Sequence, residues 1–239
     1  IQKNLLMIYQ IYKMSNSGFT FRRVRKEMIE TLLELGIKDF RVLDAISQIP
    51  RHTFLDEALW SRAYENRPLT IGYKQTISQP YIVARMTELL ISHTKTRGKV
   101  FDKVLDLGSG CGYQSAVLSF FSEKVDAIER IKPLVEKSRE NLANLKIHNV
   151  LFKHGDGYQD WDKKIQYDGI ICAAAPREYP QDLISIMKNN AKLVIPVGGF
   201  DQRLNVITKI ENNEVEEKQY EEVSFVPMLA GKSEDGNDV

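Results

Sequence analysis

Between Val104 and Gly112 the chain reads VLDLGSGCG. One acid, Asp106, sits inside a short apolar run, and Gly108, Gly110 and Gly112 follow with Ser109 among them. Glycine permits positive φ and lets another group approach the backbone. Such a turn at a strand end suits a ligand, with the N–H groups of the next helix start aimed at it. The pattern alone leaves the ligand open, because nicotinamide- and flavin-binding folds also use glycine turns. Two more acids stand where a nucleoside could be held. Glu129 ends the run KVDAIE, and an ionised carboxylate there can accept from two ribose hydroxyls. A solvated acid at a strand end is the plain alternative. Asp156–Gly157 follows NVLFKHG. The acid can accept from an adenine amino group and the glycine lets the ring lie close, although Asp-Gly is also a favoured turn pair.

Other chemistries find less support. His52, His93, His148 and His154 are scattered and none has an obvious partner. Cys111 and Cys172 are the only cysteines, which fits reduced thiols better than a disulfide framework, and no zinc-ligand spacing is present. With 33 basic and 32 acidic residues, no basic surface dominates, so nucleic acid is not the expected partner. A hydrophobic share of 43% in 239 residues is enough to bury a substantial core. No apolar run approaches the roughly 18 residues of a membrane span, so a cytoplasmic protein without membrane association is expected.

The elements that would carry these residues change rhythm along the chain. From 19 to 35 and from 42 to 49 the apolar residues recur at helical spacing, stopped by Gly36 and Pro50. Residues 51–74 read as irregular with one short helix near 56–63, and Pro80 opens another helix. Thereafter strands (KVLDL, KVDAIE, NVLFKHG, YDGIICAAA, KLVIPVG) alternate with helices over 113–121, 133–145 and 180–188. That alternation implies a doubly wound, mostly parallel α/β sheet of the Rossmann-like kind. RLNVITKIE and KQYEEVSFVPM then read as an antiparallel hairpin that brings the sheet to seven strands. The expected organisation is one domain over 19–231, with a helical part and active-site loop at 19–95 and a cofactor-binding sheet at 100–231. Residues 1–18 are expected to be a flexible extension and 232–239 a disordered tail.

Three details narrow the ligand: Asp106 within the strand, GxGxG spacing rather than GxGxxG, and the terminal hairpin. Together they resemble the class I S-adenosylmethionine-dependent methyltransferases. A narrower likeness rests on RPLTIGYKQTISQP, DLGSGCGYQSAVLS, IERI, GDGYQDW, AAAPREYP, LVIPVGG and FVPM, in order from about 19 to 227. This set resembles the protein-L-isoaspartate O-methyltransferases, which methylate isomerised aspartates as the first step of repair through a succinimide.

The resemblance implies S-adenosyl-L-methionine as cofactor and S-adenosyl-L-homocysteine as product. It makes Ser78 the active-site residue, with Gln75, Thr76 and Ile77 in the loop covering the cofactor. Asp106, Gly108, Ser109, Gly110, Gly112, Glu129, Asp156 and Gly157 are then cofactor-binding positions. Ile77, Ser78, Val197 and Gly198 are expected against an isoaspartyl peptide, whose backbone would pair with VIPVGG. A serine before Gln-Pro also reads as a helix N-cap, and the two roles are compatible. Cys111 stands where many members have serine or threonine, and Leu229 where some present a polar contact. A monomer without metal is expected. The competing reading is a class I methyltransferase for a small molecule or nucleic acid, against which the chain lacks an NPPY-like motif. A non-catalytic binder is opposed by the joint presence of the glycine turn, Glu129, Asp156 and Ser78.

Overall fold

Val104, Leu105 and Leu107 have almost no contact with solvent, as expected of a strand covered on both faces. They lie in the middle of a seven-stranded sheet in the computed structural model, which describes residues 19–211 and 214–237. The expected extension at 1–18 lies outside the described residues. In chain order the elements are α1 (Phe19–Glu34), α2 (Phe40–Gln48), two 3-10 turns (Arg51–Phe54 and Glu57–Arg62), β1 (Leu69–Gly72), β2 (Gln75–Ile77) and α3 (Pro80–Ile91). The sheet region follows with β3 (Phe101–Leu107), α4 (Tyr113–Leu118), β4 (Ser122–Glu129), α5 (Lys132–Asn144), β5 (Val150–His154), β6 (Tyr167–Cys172), α6 (Asp182–Ser185), β7 (Met187–Gly198), β8 (Gln202–Lys209) and β9 (Val215–Val223).

The strand order is β5-β4-β3-β6-β7-β8-β9. Pairing is parallel from β5 through β7 and antiparallel for β7–β8 and β8–β9. The order reverses between β3 and β6, so the crevice at their carboxyl ends is the topological switch point of the sheet. Leu107 aligns there with Ile128 on one side and Cys172 on the other. This is the expected seven-stranded fold with its closing antiparallel hairpin. Among the described residues no helix is long and apolar enough to cross a membrane.

Four local expectations need correction. The helix expected over 180–188 is only α6, because Met187 already begins β7. The buried Lys209 ammonium donates to the Ile184 and Met187 carbonyls at 2.9 and 2.8 Å and so fixes where the helix stops. The helix expected over 113–121 ends at Leu118, beyond which bonds from Phe120 to Val117 and from Phe121 to Leu118 tighten the turn. The last strand ends at Val223 rather than running through FVPM. Ala175 instead captures that segment, donating to the Val226 carbonyl and accepting from the Met228 amide, each at 2.9 Å. Finally, residues 232–237 do not fit the description of a disordered tail. Ser233 is buried, its N–H donates to the Arg130 carbonyl at 2.7 Å, and its carbonyl accepts from the Lys132 amide at 3.0 Å.

Candidate active site

The three glycines of VLDLGSGCG all have positive φ: 75°, 54° and 87° at Gly108, Gly110 and Gly112. Part of what comes so close is the chain itself. A Cβ on Gly112 would lie 3.0 Å from both Leu142 and Ser138 of α5, and one on Gly110 would lie 3.2 Å from Ile71 of β1. The turn therefore packs helix and hairpin against the sheet end, besides leaving backbone open to the crevice.

The turn's N–H groups are already engaged. Gly108 and Ser109 donate to the Ile128 carbonyl at 2.8 and 3.3 Å, Gly112 to the Ser109 carbonyl at 2.8 Å, and Gly110 to Glu129 Oε2 at 2.9 Å. The turn's own N–H groups are thus spent inside the protein, while those of the first α4 residues, Tyr113 to Ser115, are the ones the helix start leaves for a ligand. A turn so occupied is poorly suited to a phosphate, which calls for several free donors. It suits an uncharged face that needs close approach.

Glu129 is the acid of this wall, with Arg130 beside it. It is 6% exposed, and its other oxygen, Oε1, accepts from the Ile131 amide at 2.9 Å. Burial raises its pKa, opposed by the amides of Ile131 and Gly110. A carboxylate offers about four lone-pair sites, so acceptor capacity remains beside these amides for a hydroxyl donor.

The crevice is a cavity of about 920 Å³, counting its open mouth. Of the expected residues, Gln75, Thr76, Ile77, Ser78, Gly108, Ser109, Gly110, Glu129 and Gly157 form its wall. Asp106, Gly112 and Asp156 lie behind it. Asp106 is fully buried and accepts from Ser115 Oγ at 2.5 Å, while its Oδ1 has no hydrogen-bond partner among the described residues. Burial, opposed by the Ser115 bond, pushes its pKa up to about 7, and the nearby Glu129 charge adds to the rise. Asp156 accepts from the Tyr158 amide at 2.8 Å, the Gly231 amide at 2.8 Å and Gln159 Nε2 at 3.1 Å. It therefore shapes the turn that presents Gly157.

The sequence reading assigns no role to most of the far wall: Ala173 and Ala174 after β6, and the stretch from Val226 to Met228. FVPM carried the signal, but it was read as strand. Leu229 and Cys111 also face the cavity; the Cys111 thiol is buried and its pKa is pushed up to about 11.

A second cleft adjoins the first, bounded by Pro68, Gln79, Ile82, Glu222 and residues 223–225. Thr76, Ser78, Ala173 and Val226 border both. Ser78 is not the helix cap. Gln79 takes the N-cap position of α3 without a side-chain bond, and the Tyr81 amide donates to Asn66 Oδ1 at 2.9 Å instead. The Ser78 hydroxyl thus stays clear of the helix end, while its carbonyl accepts from Arg51 Nη2 at 2.7 Å. Val197 and Gly198, expected against substrate, line neither cleft. Gly198 has φ +135°, a Cβ there would meet the Asp201 carbonyl at 2.1 Å, and its amide donates to the Pro176 carbonyl at 3.0 Å. It builds the β7–β8 turn. Among the described residues no group of His, Cys, Asp and Glu could hold a metal ion.

Comparison with known proteins agrees with this geometry. The model of the protein-L-isoaspartate(D-aspartate) O-methyltransferase family matches residues 22–233. A protein-L-isoaspartate O-methyltransferase of Marinobacter nauticus is 47% identical, with 90% of this chain and 95% of that protein covered. One from Methylobacillus flagellatus is 46% identical over 91% of this chain and 97% of the relative. A crystal structure described as a putative protein-L-isoaspartate O-methyltransferase from Plasmodium falciparum, in complex with S-adenosyl-L-homocysteine, superposes with a TM-score of 0.73 at 29% identity. It covers 85% of this chain and 97% of that one. A family match over most of the chain, relatives similar along nearly their whole length and a shared fold lead to one conclusion: the chain belongs to the protein-L-isoaspartate(D-aspartate) O-methyltransferase family.

Proposed function

We propose that this protein transfers the methyl group of S-adenosyl-L-methionine to the free α-carboxylate of L-isoaspartyl residues in proteins and peptides. The observation that carries the reading is the place of Ser78, on the border between a cavity walled by the glycine turn and Glu129 and a second cleft open to solvent. Two substrates entering from opposite sides would meet at that residue.

The wall fits the cofactor's chemistry. Glu129 offers acceptor sites to a ribose, Gly157 and Met228 give an adenine ring a flat approach, and Ser109 supplies a buried hydroxyl without a partner among the described residues. Gln75, Thr76 and Ile77 would close over the bound molecule. Asp106 and Asp156 act from behind, holding α4 through Ser115 and the turn at Gly157. When bound, the sulfonium supplies an already activated methyl group.

An isoaspartyl carboxylate is ionised at neutral pH, so no general base is needed. None of the four histidines lines the cavity; His154 turns Nε2 to the Arg130 and Ser233 carbonyls at 2.9 and 3.2 Å. Catalysis rests on proximity and alignment. The Ser78 hydroxyl donates to the carboxylate and aims it, without the charge that would blunt its nucleophilicity. The resulting methyl ester carries a better leaving group, methanol, than the carboxylate does. The following peptide nitrogen can then attack the ester carbonyl, losing its proton and expelling methanol to close a succinimide, which water opens partly to normal aspartate.

Specificity follows from geometry. In isoaspartate the main chain runs through the side-chain carbon, so the free carboxylate sits one methylene nearer the backbone. Small misplacements of reacting atoms cost heavily. Matched peptides differing only in that linkage, assayed for labelled methyl incorporation, test the reading. Methylation of the isoaspartyl peptide alone is expected; equal rates on both, or methylation of neither, would overturn it.

A further inference from the structure

Arg51 is a fully buried guanidinium with no carboxylate bonded to it among the described residues. It opens the 3-10 turn after Pro50. Nε donates to the Ala63 carbonyl at 2.8 Å and Nη2 to the Ser78 carbonyl at 2.7 Å. The guanidinium also stands over the Tyr113 ring, 4.8 Å from its centroid, and Phe54 of the same turn meets that ring edge-on at 5.2 Å. Tyr113 is the first residue of α4, directly after the glycine turn, and faces the cavity. One planar cation therefore ties together the helical N-terminal region, the loop carrying Ser78 and the residue following the glycine turn.

The loop needs such an anchor. Its pairing with β1 ends at Ile77, and Pro80, two residues beyond Ser78, has no N–H to donate. A lysine could not hold both carbonyls while lying flat on the ring, because its ammonium is a point donor and not a rigid fork. Two carbonyl acceptors and a ring face are a modest return for desolvating a whole charge, which argues for a role beyond packing.

Resting on the function proposed above, we infer that Arg51 is a positioning residue for methyl transfer, holding the Ser78 backbone in fixed relation to Tyr113 and the glycine turn. It touches neither substrate. Its loss should let the Ser78 hydroxyl drift from the line of attack while leaving the cofactor wall intact.

The test uses the whole protein with Arg51→Lys and Arg51→Gln, the second leaving no uncompensated buried charge. Arg25→Lys is the control for a lost buried arginine. Arg25 bonds the Ser47 carbonyl at 3.0 Å and the Tyr64 hydroxyl at 3.1 Å, away from both clefts. Wild-type turnover on an isoaspartyl peptide is measured first; its absence removes the functional reading itself. Saturating S-adenosylhomocysteine supports the folded state of weakened variants in melting and binding measurements. Against an active wild type, Arg51→Lys should lose about 10- to 100-fold in kcat, the scale expected of a slight misalignment. Its S-adenosylhomocysteine Kd and peptide KM should each stay within about 3-fold, the split expected when only the transition state is affected. Arg51→Gln should show the same split. Arg25→Lys should lower the melting temperature and keep wild-type kcat. A folded Arg51 variant with full kcat would overturn the proposal. So would a kcat loss matched by Arg25→Lys, a cofactor affinity that falls in step with kcat, or failure of both Arg51 variants to fold even with ligand.

Discussion

Glu129 Oε2 accepts the Gly110 amide at 2.9 Å across the join of β3 and β4, so the acid and the glycine turn form one wall. Its second oxygen reaches the Ile131 amide, also at 2.9 Å, at the N-cap of α5. A strand-end carboxylate thereby fixes the two backbone segments between which a ribose would lie.

Glu129→Ala should weaken cofactor binding by on the order of 1.5–3 kcal/mol, the value of charge-assisted hydrogen bonds lost to the two hydroxyls. It also leaves two amides without their acceptor, so a lower melting temperature should accompany it. Calorimetric titration with S-adenosylhomocysteine measures the first effect. Unchanged affinity in a folded variant would remove the ribose assignment.

Gly110→Val should abolish cofactor binding. Its φ of 54° opposes a β-branched residue, its Cβ would lie 3.2 Å from Ile71 Cδ1, which must shift slightly, and the γ-methyls of valine would add bulk to the cavity wall. Gly36→Ala separates strain from position. Gly36 has φ +97° and open space around it, so that variant should lose roughly 1–2 kcal/mol of stability and bind cofactor normally. Equal binding losses in both variants would mean that strain alone is responsible.

Much of this was legible because it rests on local rules. Apolar runs ending in glycine or acid marked β3, β4 and β5, and their alternation with helices forced the parallel order. The β1–β2 hairpin was not legible. Gly72 pairs with Gln75, leaving Tyr73 and Lys74 as the turn with φ of 54° and 52°. A two-residue turn with both φ values positive is ordinarily announced by Asn-Gly or Asp-Gly, and Tyr-Lys gives no such signal. The placement of 232–237 was hidden for another reason. Polar side chains suggested disorder, yet the segment is held through backbone groups of Ser233 and Gly231, which composition does not report. For the site, residue types identified the turn and Glu129, but not which acids face the cavity. Asp106 and Asp156 are held back by Ser115 and by three donors respectively, and those contacts exist only in the fold.

Ser78→Ala should lower kcat by about 10- to 1,000-fold, since a hydrogen bond that aims a reacting group acts mainly in the transition state. Cofactor affinity should be unchanged, because the Arg51 bond is to the Ser78 carbonyl and survives the substitution. Steady-state kinetics on an isoaspartyl peptide, with calorimetry on the cofactor, give both quantities. Full turnover would leave the hydroxyl without a catalytic part.

Asp106 makes stability depend on pH in a stated direction. Its pKa rises from 3.8 to about 7, chiefly through complete burial. An acid whose folded pKa exceeds its unfolded value favours the folded state below about pH 4, and that contribution is lost as pH rises towards 7. Over this window the loss is of the order of a few kcal/mol for a shift of this size. Asp106→Asn cannot ionise, and its carbonyl oxygen can still accept from Ser115. Denaturant unfolding of both proteins from pH 4.5 to 7.5 should therefore show wild-type stability falling relative to the variant as pH rises, because charging Asp106 in a site with one unpartnered oxygen destabilises the wild type alone. A constant difference across that range would mean that Asp106 does not change protonation in the window, and that the bond from Ser115 offsets its burial.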